Sequence, residues 1–285
     1  MLLIDSHAHG MDAKLNAQGK PTPPIIPIWE PGKMTPEEYV KSQKEIGIES
    51  ILILDPPDVT FYLKKLFGDF VIPAPQVDLD ATNPEAIDKL FQQGAIGIKF
   101  ISPEKSYGHD SYFPIYDAVR ENNGLAVFHT GFLTLMHFEP GGIFGRRTYT
   151  DITDMRPAAL DRVARAFPDL KILMAHFGNP WWEEAWKICA SHNNIYADLS
   201  GGTCVTRSMD MWAETFAPNG IIHKGGLERL CFGTDSGYFV PGNGDDSRKK
   251  KIDFHVRLLD RINAPEEIRQ KIWRENILAI TKKNS

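Results

Sequence analysis

The 285-residue chain has few cysteines and no long apolar run, and it carries no large excess of either charge. Its three cysteines are Cys189, Cys204 and Cys231, and no two of them have the spacing of a metal-binding or redox motif. This pattern favours free thiols in a reducing compartment over a disulfide framework. We therefore expect a cytoplasmic protein.

No apolar run approaches the length that crosses a membrane. The first run is only three residues long before Asp5, which is too short for a secretory signal peptide. The net charge is −5, and the one basic run, at 248–251, stands beside Asp245, Asp246 and Asp253. That mixture indicates a solvated helix start rather than a nucleic-acid site. We expect a small-molecule substrate, and neither a membrane nor a nucleic acid as partner.

What the chain does contain is a series of eight short apolar runs. They are nearly continuous rather than alternating, as expected for parallel strands that are covered on both faces. The runs are LLID at 2–5, SILILD at 50–55, FVIPAPQVD at 70–78, AIGIKF at 95–100, LAVFHTG at 125–131, KILMAHFG at 171–178, IYADLSG at 195–201 and RLCFGTDS at 229–236.

Helical patterns separate these runs. In the first of them Thr35 precedes Pro36 and two acidic residues, and Gly47 follows the last periodic position, which is typical of a capped helix. Strand and helix signals alternate in this way along the chain. The alternation predicts an α/β fold, a (β/α)8 TIM barrel, with a doubly wound open sheet as the alternative.

We expect residues 1–285 to form a single barrel domain. Two connections, near 10–33 and 132–156, are long and follow strands, at the end of a barrel where active sites are built. They are predicted to form lids or walls of a substrate site. Residues 248–283 are predicted to form C-terminal helices, with a break near 263–265.

Two histidines, His7 and His9, follow the first apolar run and are separated by one residue, at the end of what the pattern predicts as the first buried strand. In a strand, residues i and i+2 face the same side, so both imidazoles can aim at one point. Imidazole nitrogens are common zinc ligands. For this pair alone, two hydrogen-bonded histidines at a strand end are the alternative to a metal site.

Three further polar residues close apolar runs, namely His129, His176 and Asp235. The carboxyl ends of the strands share one rim in a closed parallel barrel, so these side chains should meet the first two histidines. Taken singly, each histidine is explained by a hydrogen-bonded core position and Asp235 by a turn or helix cap. Their occurrence together predicts a metal site on that rim.

These residues also carry a resemblance to a known family. The segments IDSHAH, FHTG, MAHFGNPWWEEA, FGTDS and RENILAI, in this order, resemble the amidohydrolase superfamily. The nearest branch is the amidohydrolase-related one that includes aminocarboxymuconate-semialdehyde decarboxylase. The resemblance covers nearly the whole chain and implies a barrel of the metal-dependent hydrolase type.

The resemblance further implies one divalent metal ion per chain, usually zinc. It assigns His7, His9, His129 and Asp235 as protein ligands, with water as a further ligand. Asp235 would also accept a proton from that water, and His176 would act as general acid or base beside it. Members of the family often form dimers, so a homodimer is expected on resemblance alone.

Several residues are candidates for the substrate side of the site. Lys99 ends the fourth run and can pair with a substrate carboxylate or with a neighbouring acid. Alternatively it can be carboxylated and bridge two metals, as in some amidohydrolases. Arg146 and Arg147, in the second long connection, suit a carboxylate, although surface positions explain them equally well. Trp29, in the first long connection, can form an apolar wall or anchor that connection.

We expect a metal-dependent hydrolase in which activated water attacks a lactone, amide or related carbonyl of a small, carboxylate-bearing substrate. The first alternative is a metal-dependent, non-oxidative decarboxylase of an unsaturated or aromatic carboxylic acid. The second is a metal-binding barrel without catalytic activity. Ligand spacing does not separate the first two, since the loops decide the substrate.

Overall fold

The computed structural model describes residues 2–10, 35–132, 151–204, 207–216, 227–239 and 244–282. Strands and helices alternate within these ranges. The strands are β1 (Leu3–His9), β2 (Ile48–Ile53), β3 (Val71–Pro73), β4 (Gln76–Val77), β5 (Gly97–Phe100), β6 (Leu125–His129), β7 (Lys171–Ala175), β8 (Ile195–Asp198), β9 (Leu230–Cys231) and β10 (Ser236–Gly237).

The helices lie between and after these strands. They are α1 (Pro36–Glu45), α2 (Pro57–Phe67), α3 (Pro84–Gln92), α4 (Phe113–Glu121), α5 (Ala159–Ala166), α6 (Trp182–Ser191), α7 (Met209–Phe216), α8 (Gly244–Arg261), α9 (Glu266–Gln270) and α10 (Asn276–Thr281). None of the helices in the described ranges has both the length and the apolarity that a membrane crossing requires.

The strands form a closed parallel barrel. One sheet has the order β10-β1-β2-β3 and the other has the order β4-β5-β6-β7-β8-β9, and every pair is parallel. The third and eighth apolar runs each supply two short strands, one to each sheet, so the two sheets make one ring of eight. The chain therefore has the predicted α/β fold, a TIM barrel.

Backbone hydrogen bonds continue across the break in the third run. The break falls at Pro75, which has no N–H to donate to a neighbouring strand. The N–H of Ala74 nevertheless donates to the carbonyl of Ile53 at 3.0 Å, and the N–H of Lys99 donates to the carbonyl of Pro75 at 3.0 Å. The ring is therefore continuous on both sides of this run.

Local sequence signals account for the helix starts. The Thr35 hydroxyl accepts from the N–H of Glu38, whose side chain accepts from the N–H of Thr35, and Pro36 occupies the first turn. This confirms the predicted start of α1. By contrast, α6 begins at Trp182 without a side-chain hydrogen bond at its N-cap.

The C-terminal helices begin earlier than the sequence predicted. Helix α8 starts at Gly244 rather than at residue 248, and it ends at Arg261, just before the predicted break. A turn of π-helix, Lys271–Glu275, then joins α9 to α10. The α10 side chain of Asn276 donates to the carbonyls of Glu228 and Leu230, which fastens this segment to the barrel.

The barrel interior has an apolar part and, at the carboxyl ends of the strands, a polar layer. Its apolar part contains side chains from alternate strand positions together with two from α10, and these are Ile4, Leu52, Leu54, Ala74, Leu125, Val127, Leu173, Cys231, Ile277 and Ile280. Lys99 pairs directly across from Val127, and Asp198 pairs across from Cys231, so both share the inward side. His129 follows Val127 by two positions on β6, which places a polar layer at the carboxyl ends of the strands.

Candidate metal and active site

Three predicted ligands converge where the first strand meets the last. Nε2 of His9 lies 3.2 Å from Oδ1 of Asp235, and Nε2 of His7 lies 3.6 Å from the same oxygen. One ligand atom from each of the three residues lies within 4.8 Å of the others. The spacing by two thus turns both imidazoles to one point, and Asp235 meets them from the eighth run.

The other ring nitrogen of each histidine is held by a buried carboxylate. Nδ1 of His7 lies 3.2 Å from Oδ2 of Asp198, and Nδ1 of His9 lies 2.9 Å from Oδ1 of Asp55. Each Nδ1 donates its hydrogen to its carboxylate, which leaves the Nε2 lone pair directed at Asp235. Metal-binding histidines are typically oriented by carboxylates in this way.

The geometry fits a cation. Two imidazole lone pairs and a carboxylate oxygen face one another, and such a set repels unless positive charge lies among them. Burial alone would lower the pKa of His9, but hydrogen bonds with Asp235 and Asp55 outweigh it and raise that pKa to about 10. A proton on His9 therefore stabilises the set when no metal is bound. Two imidazole nitrogens and one carboxylate oxygen suit a divalent transition ion such as zinc.

Two other predicted residues, His129 and Lys99, lie in the polar layer. The Nε2 atom of His129 and the Nζ atom of Lys99 are both buried and make no hydrogen bond to a described residue. His129 is not part of the group formed by His7, His9 and Asp235, so its ligand role stays a prediction. Buried polar atoms are rarely left unpaired, and a bound ion or substrate would supply their partners.

The charge of Lys99 is set by its surroundings. Burial is the main cause that lowers its pKa, to about 8, and the nearby Asp198 and Asp235 carboxylates act in the opposite direction. Lys99 thus remains largely cationic near neutral pH. A cation that is 1% exposed and lacks a hydrogen-bond partner in the described ranges is suited to bind an anionic group.

His176 lies beside the three converging residues. It follows β7 with a φ of 65°, in the left-handed region that non-glycine residues rarely adopt. Its ring centroid is 4.5 Å from that of His7 and 4.6 Å from that of His129. Burial, and then the neighbouring His7, lower the pKa of His176 to about 3, so the ring is neutral at pH 7.

The backbone that carries Asp235 is held from two sides. Asp235 has a φ of 53°, and its N–H donates to the carbonyl of His7 at 2.7 Å. The buried Asp5 carboxylate accepts from the N–H of Thr234 at 2.9 Å, from the Thr234 hydroxyl at 2.5 Å and from the Tyr238 hydroxyl at 2.7 Å. From α8, Lys251 donates to the carbonyl of Thr234. These contacts stabilise the left-handed turn that aims Asp235 inward.

Gly201 allows close contact between the loop after β8 and the site. Its φ is +66°, and a Cβ at this position would lie 2.5 Å from Oδ2 of Asp235 and 3.2 Å from Nδ1 of His176. Glycine is therefore the residue type that fits here without displacing either side chain.

Sequence reasoning missed four residues that position the site: Asp5, Asp55, Asp198 and Ser200. A usable signal was present for three of them, because Asp5, Asp55 and Asp198 stand at the ends of apolar runs, as Asp235 does. The predicted substrate residues Trp29, Arg146 and Arg147 lie outside the described residues. The structure does not bring them to the site or exclude them from it.

Comparison with solved structures shows the same barrel in other proteins. An uncharacterised TIM-barrel protein from Bordetella bronchiseptica has a TM-score of 0.67 at 17% identity, over 99% of this chain and 100% of that one. A probable 2-pyrone-4,6-dicarboxylic acid hydrolase from Acinetobacter baumannii, with citric acid bound, gives 0.62 at 13% identity over 99% of both chains. The 5-carboxyvanillate decarboxylase from Sphingomonas paucimobilis gives 0.63 at 11% identity, also over 99% of both chains. These identities are low enough that the likeness shows the fold alone.

Comparison of sequences is more selective. No match to a curated protein is significant. A family model described as Amidohydrolase matches residues 63–280, well over half of the chain. That segment contains His129, His176 and Asp235, while His7 and His9 precede it. A match of this length, on a parallel barrel with histidines and aspartates at its rim, shows that the chain belongs to the amidohydrolase family.

Proposed function

We propose that this protein is a metal-dependent hydrolase, in which water attacks a lactone, amide or related carbonyl of a small substrate that carries a carboxylate. The observation that carries the proposal is the convergence of the Nε2 atoms of His7 and His9 on Oδ1 of Asp235, with the Nδ1 atom of each ring next to a carboxylate. Family membership supports an enzyme of the hydrolase or decarboxylase type.

His7, His9 and Asp235 would hold one divalent ion, for which we propose zinc, with His129 as a further ligand. When bound, such an ion supplies a Lewis acid and lowers the pKa of a coordinated water to about 7. His7 and His9 present their Nε2 atoms because Asp198 and Asp55 engage their Nδ1 atoms.

Asp235 and His176 are the residues to which we assign proton transfer. Burial acts to raise the pKa of Asp235, but the hydrogen bond with His9 and the nearby His176 and His7 hold that pKa well below the ordinary value. Asp235 is therefore ionised at neutral pH and can accept the proton that the attacking water loses. Neutral His176 lies beside Asp235 and can take up that proton and pass it to the leaving oxygen or nitrogen as the acyl C–O or C–N bond breaks.

We assign Lys99 to the carboxylate of the substrate. Its ammonium group is buried within the polar layer, and it makes no hydrogen bond to a described residue. A bound carboxylate would complete an ion pair there and would place the rest of a small molecule beside His176. The alternative role, a carboxylated Lys99 that bridges two metal ions, predicts two ions per chain rather than one.

The same arrangement also suits non-oxidative decarboxylation, which is our second candidate. A carboxylate paired with Lys99 would lie in the same cluster as His176, which can deliver a proton to the carbon atom that loses carbon dioxide. The solved decarboxylase that shares this barrel makes the reaction compatible with the fold. The substrate would then be an unsaturated or aromatic carboxylic acid.

One experiment separates the two reactions. Zinc-loaded protein is incubated in water labelled with oxygen-18 with a panel of carboxylate-bearing lactones, amides and aromatic acids. A product that gains one labelled oxygen without release of carbon dioxide supports the hydrolase. Release of carbon dioxide without incorporation of label contradicts it and supports the decarboxylase.

The variant His176→Ala tests the catalytic assignment within the same assay. We expect zinc to stay bound and turnover to fall by about a hundredfold or more, the scale of general acid–base catalysis. His109→Ala, which removes an exposed histidine, is the control and should keep full turnover. Zinc binding without turnover of any compound would instead support the non-catalytic alternative.

A further inference from the structure

The Asp198 carboxylate contacts both His176 and His7. Its side chain is fully buried, and Oδ1 accepts from the backbone N–H of His176 at 2.9 Å and from that of Ser200 at 3.0 Å. The Ser200 hydroxyl contacts the same oxygen. Its other oxygen, Oδ2, lies 3.2 Å from Nδ1 of His7. A carboxyl group that is surrounded by donors in this way is ionised and has no hydrogen to give.

The Ser200 hydroxyl lies at the centre of this group and has a single hydrogen. Oγ contacts Oδ1 of Asp198, lies 2.9 Å from Nδ1 of His176 and lies 3.2 Å from Nδ1 of His7. Because Asp198 only accepts, the hydroxyl hydrogen goes to Asp198. The contact with His176 is then a hydrogen bond only if Nδ1 of His176 is the donor.

We propose that Ser200 is a positioning residue that fixes the tautomer of His176, by donating to Asp198 and accepting from Nδ1–H of His176. The Nε2 atom of His176 then carries a lone pair. If the hydroxyl is removed, residue 200 offers no acceptor for Nδ1–H of His176. It then no longer favours the tautomer with the hydrogen on Nδ1 over the tautomer with the hydrogen on Nε2.

The chain around Ser200 is built to hold this contact. Asp198 and Ser200 are two positions apart at the end of β8, whereas Leu199 between them is buried in the apolar core. Asp198 holds the backbone of His176 and Ser200 holds its ring, so both parts of the residue are fixed by one segment. The next residue, Gly201, lies close enough to His176 that a Cβ would press on Nδ1.

The consequence for the reaction rests on the proposed function. A neutral His176 with its hydrogen on Nδ1 can only accept a proton at Nε2, so in the resting enzyme it serves as a base. Once it has accepted a proton, Ser200 and Asp198 stabilise the imidazolium through the same two hydrogen bonds. The wrong tautomer in a comparable histidine relay lowers turnover by several orders of magnitude.

The tautomer itself is measurable without any substrate. The full chain is labelled with nitrogen-15 in its histidine rings, as purified and after zinc loading, and His176 is assigned by difference with His176→Gln. Protonated and unprotonated ring nitrogens have well-separated shifts, so the spectrum reports which atom carries the hydrogen. We expect Nδ1 to be protonated in the wild-type protein, and Ser200→Ala to lose this preference.

Two further variants make the test specific. Ser6→Ala removes another buried hydroxyl near the site, one that makes no hydrogen bond to a described residue, and it should leave the His176 shifts unchanged. Ser200→Thr restores a hydroxyl and should restore the wild-type tautomer. If the threonine variant does not fold, the comparison of Ser200→Ala with Ser6→Ala still decides whether Ser200 sets the tautomer of His176.

Wild-type His176 protonated on Nε2, or a tautomer that Ser200→Ala leaves unchanged, would overturn the proposal. If the chain proves to be a decarboxylase, or to have no activity, the shifts still report on Ser200, so the two failures are distinguishable. Where a substrate is known, we expect Ser200→Ala to lower kcat about tenfold to a thousandfold with little change in KM or in zinc content.

Discussion

The Asp55 carboxylate accepts a hydrogen bond from Nδ1 of His9 at 2.9 Å and one from the backbone N–H of Gly10 at 2.5 Å. It therefore fixes both the ring of His9 and the end of the strand that carries it. The Nε2 atom of His9 is presented to Asp235 as a result. Orientation of the site thus depends on a residue that does not itself touch the proposed ion.

Asp55→Ala is predicted to weaken zinc binding by about tenfold to a hundredfold, since loss of such a carboxylate frees the imidazole to rotate. Competition with a chromophoric chelator measures the change in Kd. Asp58→Ala, which removes an exposed acid from the start of α2, is the matched control and should bind zinc like the wild type. An unchanged Kd in Asp55→Ala would show that His9 is held by other contacts.

Gly201→Ala is predicted to weaken zinc binding as well as to lower the stability of the fold. The new methyl group would press on Asp235, while the positive φ adds a backbone cost of about 1–2 kcal/mol. Gly68→Ala separates these effects, because Gly68 has a similar φ of +56° and nothing lies within 4 Å of its Cβ position. We expect both variants to lose stability in urea, because both positions have a positive φ, but zinc affinity to fall in Gly201→Ala alone. Equal zinc affinity in the two variants would show that Asp235 moves aside without consequence.

Asp5→Ala is predicted to destabilise the protein by about 3 kcal/mol or more, because it leaves buried donors of His7, Thr234 and Tyr238 without their acceptor. Tyr238→Phe removes only one of these donors and should cost about 1 kcal/mol. Urea unfolding gives both values. A loss in Asp5→Ala no larger than that in Tyr238→Phe would mean that the turn before Asp235 is supported chiefly by Lys251.

A surface ion pair gives a prediction for the pH dependence of stability. Two hydrogen bonds join Glu49 at the start of β2 to Arg274, at 2.6 and 3.1 Å, and the Arg274 hydrogen bond lowers the pKa of Glu49 below 4.5. A carboxyl group with a lowered folded-state pKa stabilises the fold above its unfolded value and loses that effect as pH falls through the folded value. Both side chains are partly exposed, so we expect about 1 kcal/mol or less at neutral pH.

The measurement is urea unfolding of Glu49→Gln and of wild type between pH 7 and pH values below 4.5. The difference in unfolding free energy should shrink towards zero over that range. Glu214→Gln, at an exposed position of α7, serves as the control for loss of a carboxylate. A difference that persists in acid would assign the effect to packing instead of charge.

Much of the fold follows from the sequence because apolar runs and caps are local signals. The eight runs correspond to the eight strands of the ring, and Thr35 caps α1 as its sequence indicates. The breaks in the third and eighth runs are harder to predict, since they depend on how the ring closes. Pro75 signals the first of them, but no residue type signals that Asp235 adopts a left-handed turn.

The candidate site, like the fold, is predictable from the sequence only in part. The period-two spacing of His7 and His9 is sufficient to predict that they converge. The roles of Asp55 and Asp198 cannot be predicted from the sequence in this way, because an acid after a strand is as often part of a turn or a helix cap. Only the closed barrel brings each carboxylate to its histidine. Ser200 gives no signal at all until the hydrogen-bonding partners of its hydroxyl are counted.

The position of the site at the junction of β1 and the eighth run has a consequence for biogenesis. His7 and His9 leave the ribosome with β1, and Asp235 follows only after β2 to β9 have been made. The N–H of Asp235 and the carbonyl of His7 join the two ends of the ring at the same point. A nascent chain therefore cannot bring the three proposed ligands together until its barrel closes, so we predict that metal binding follows closure of the ring.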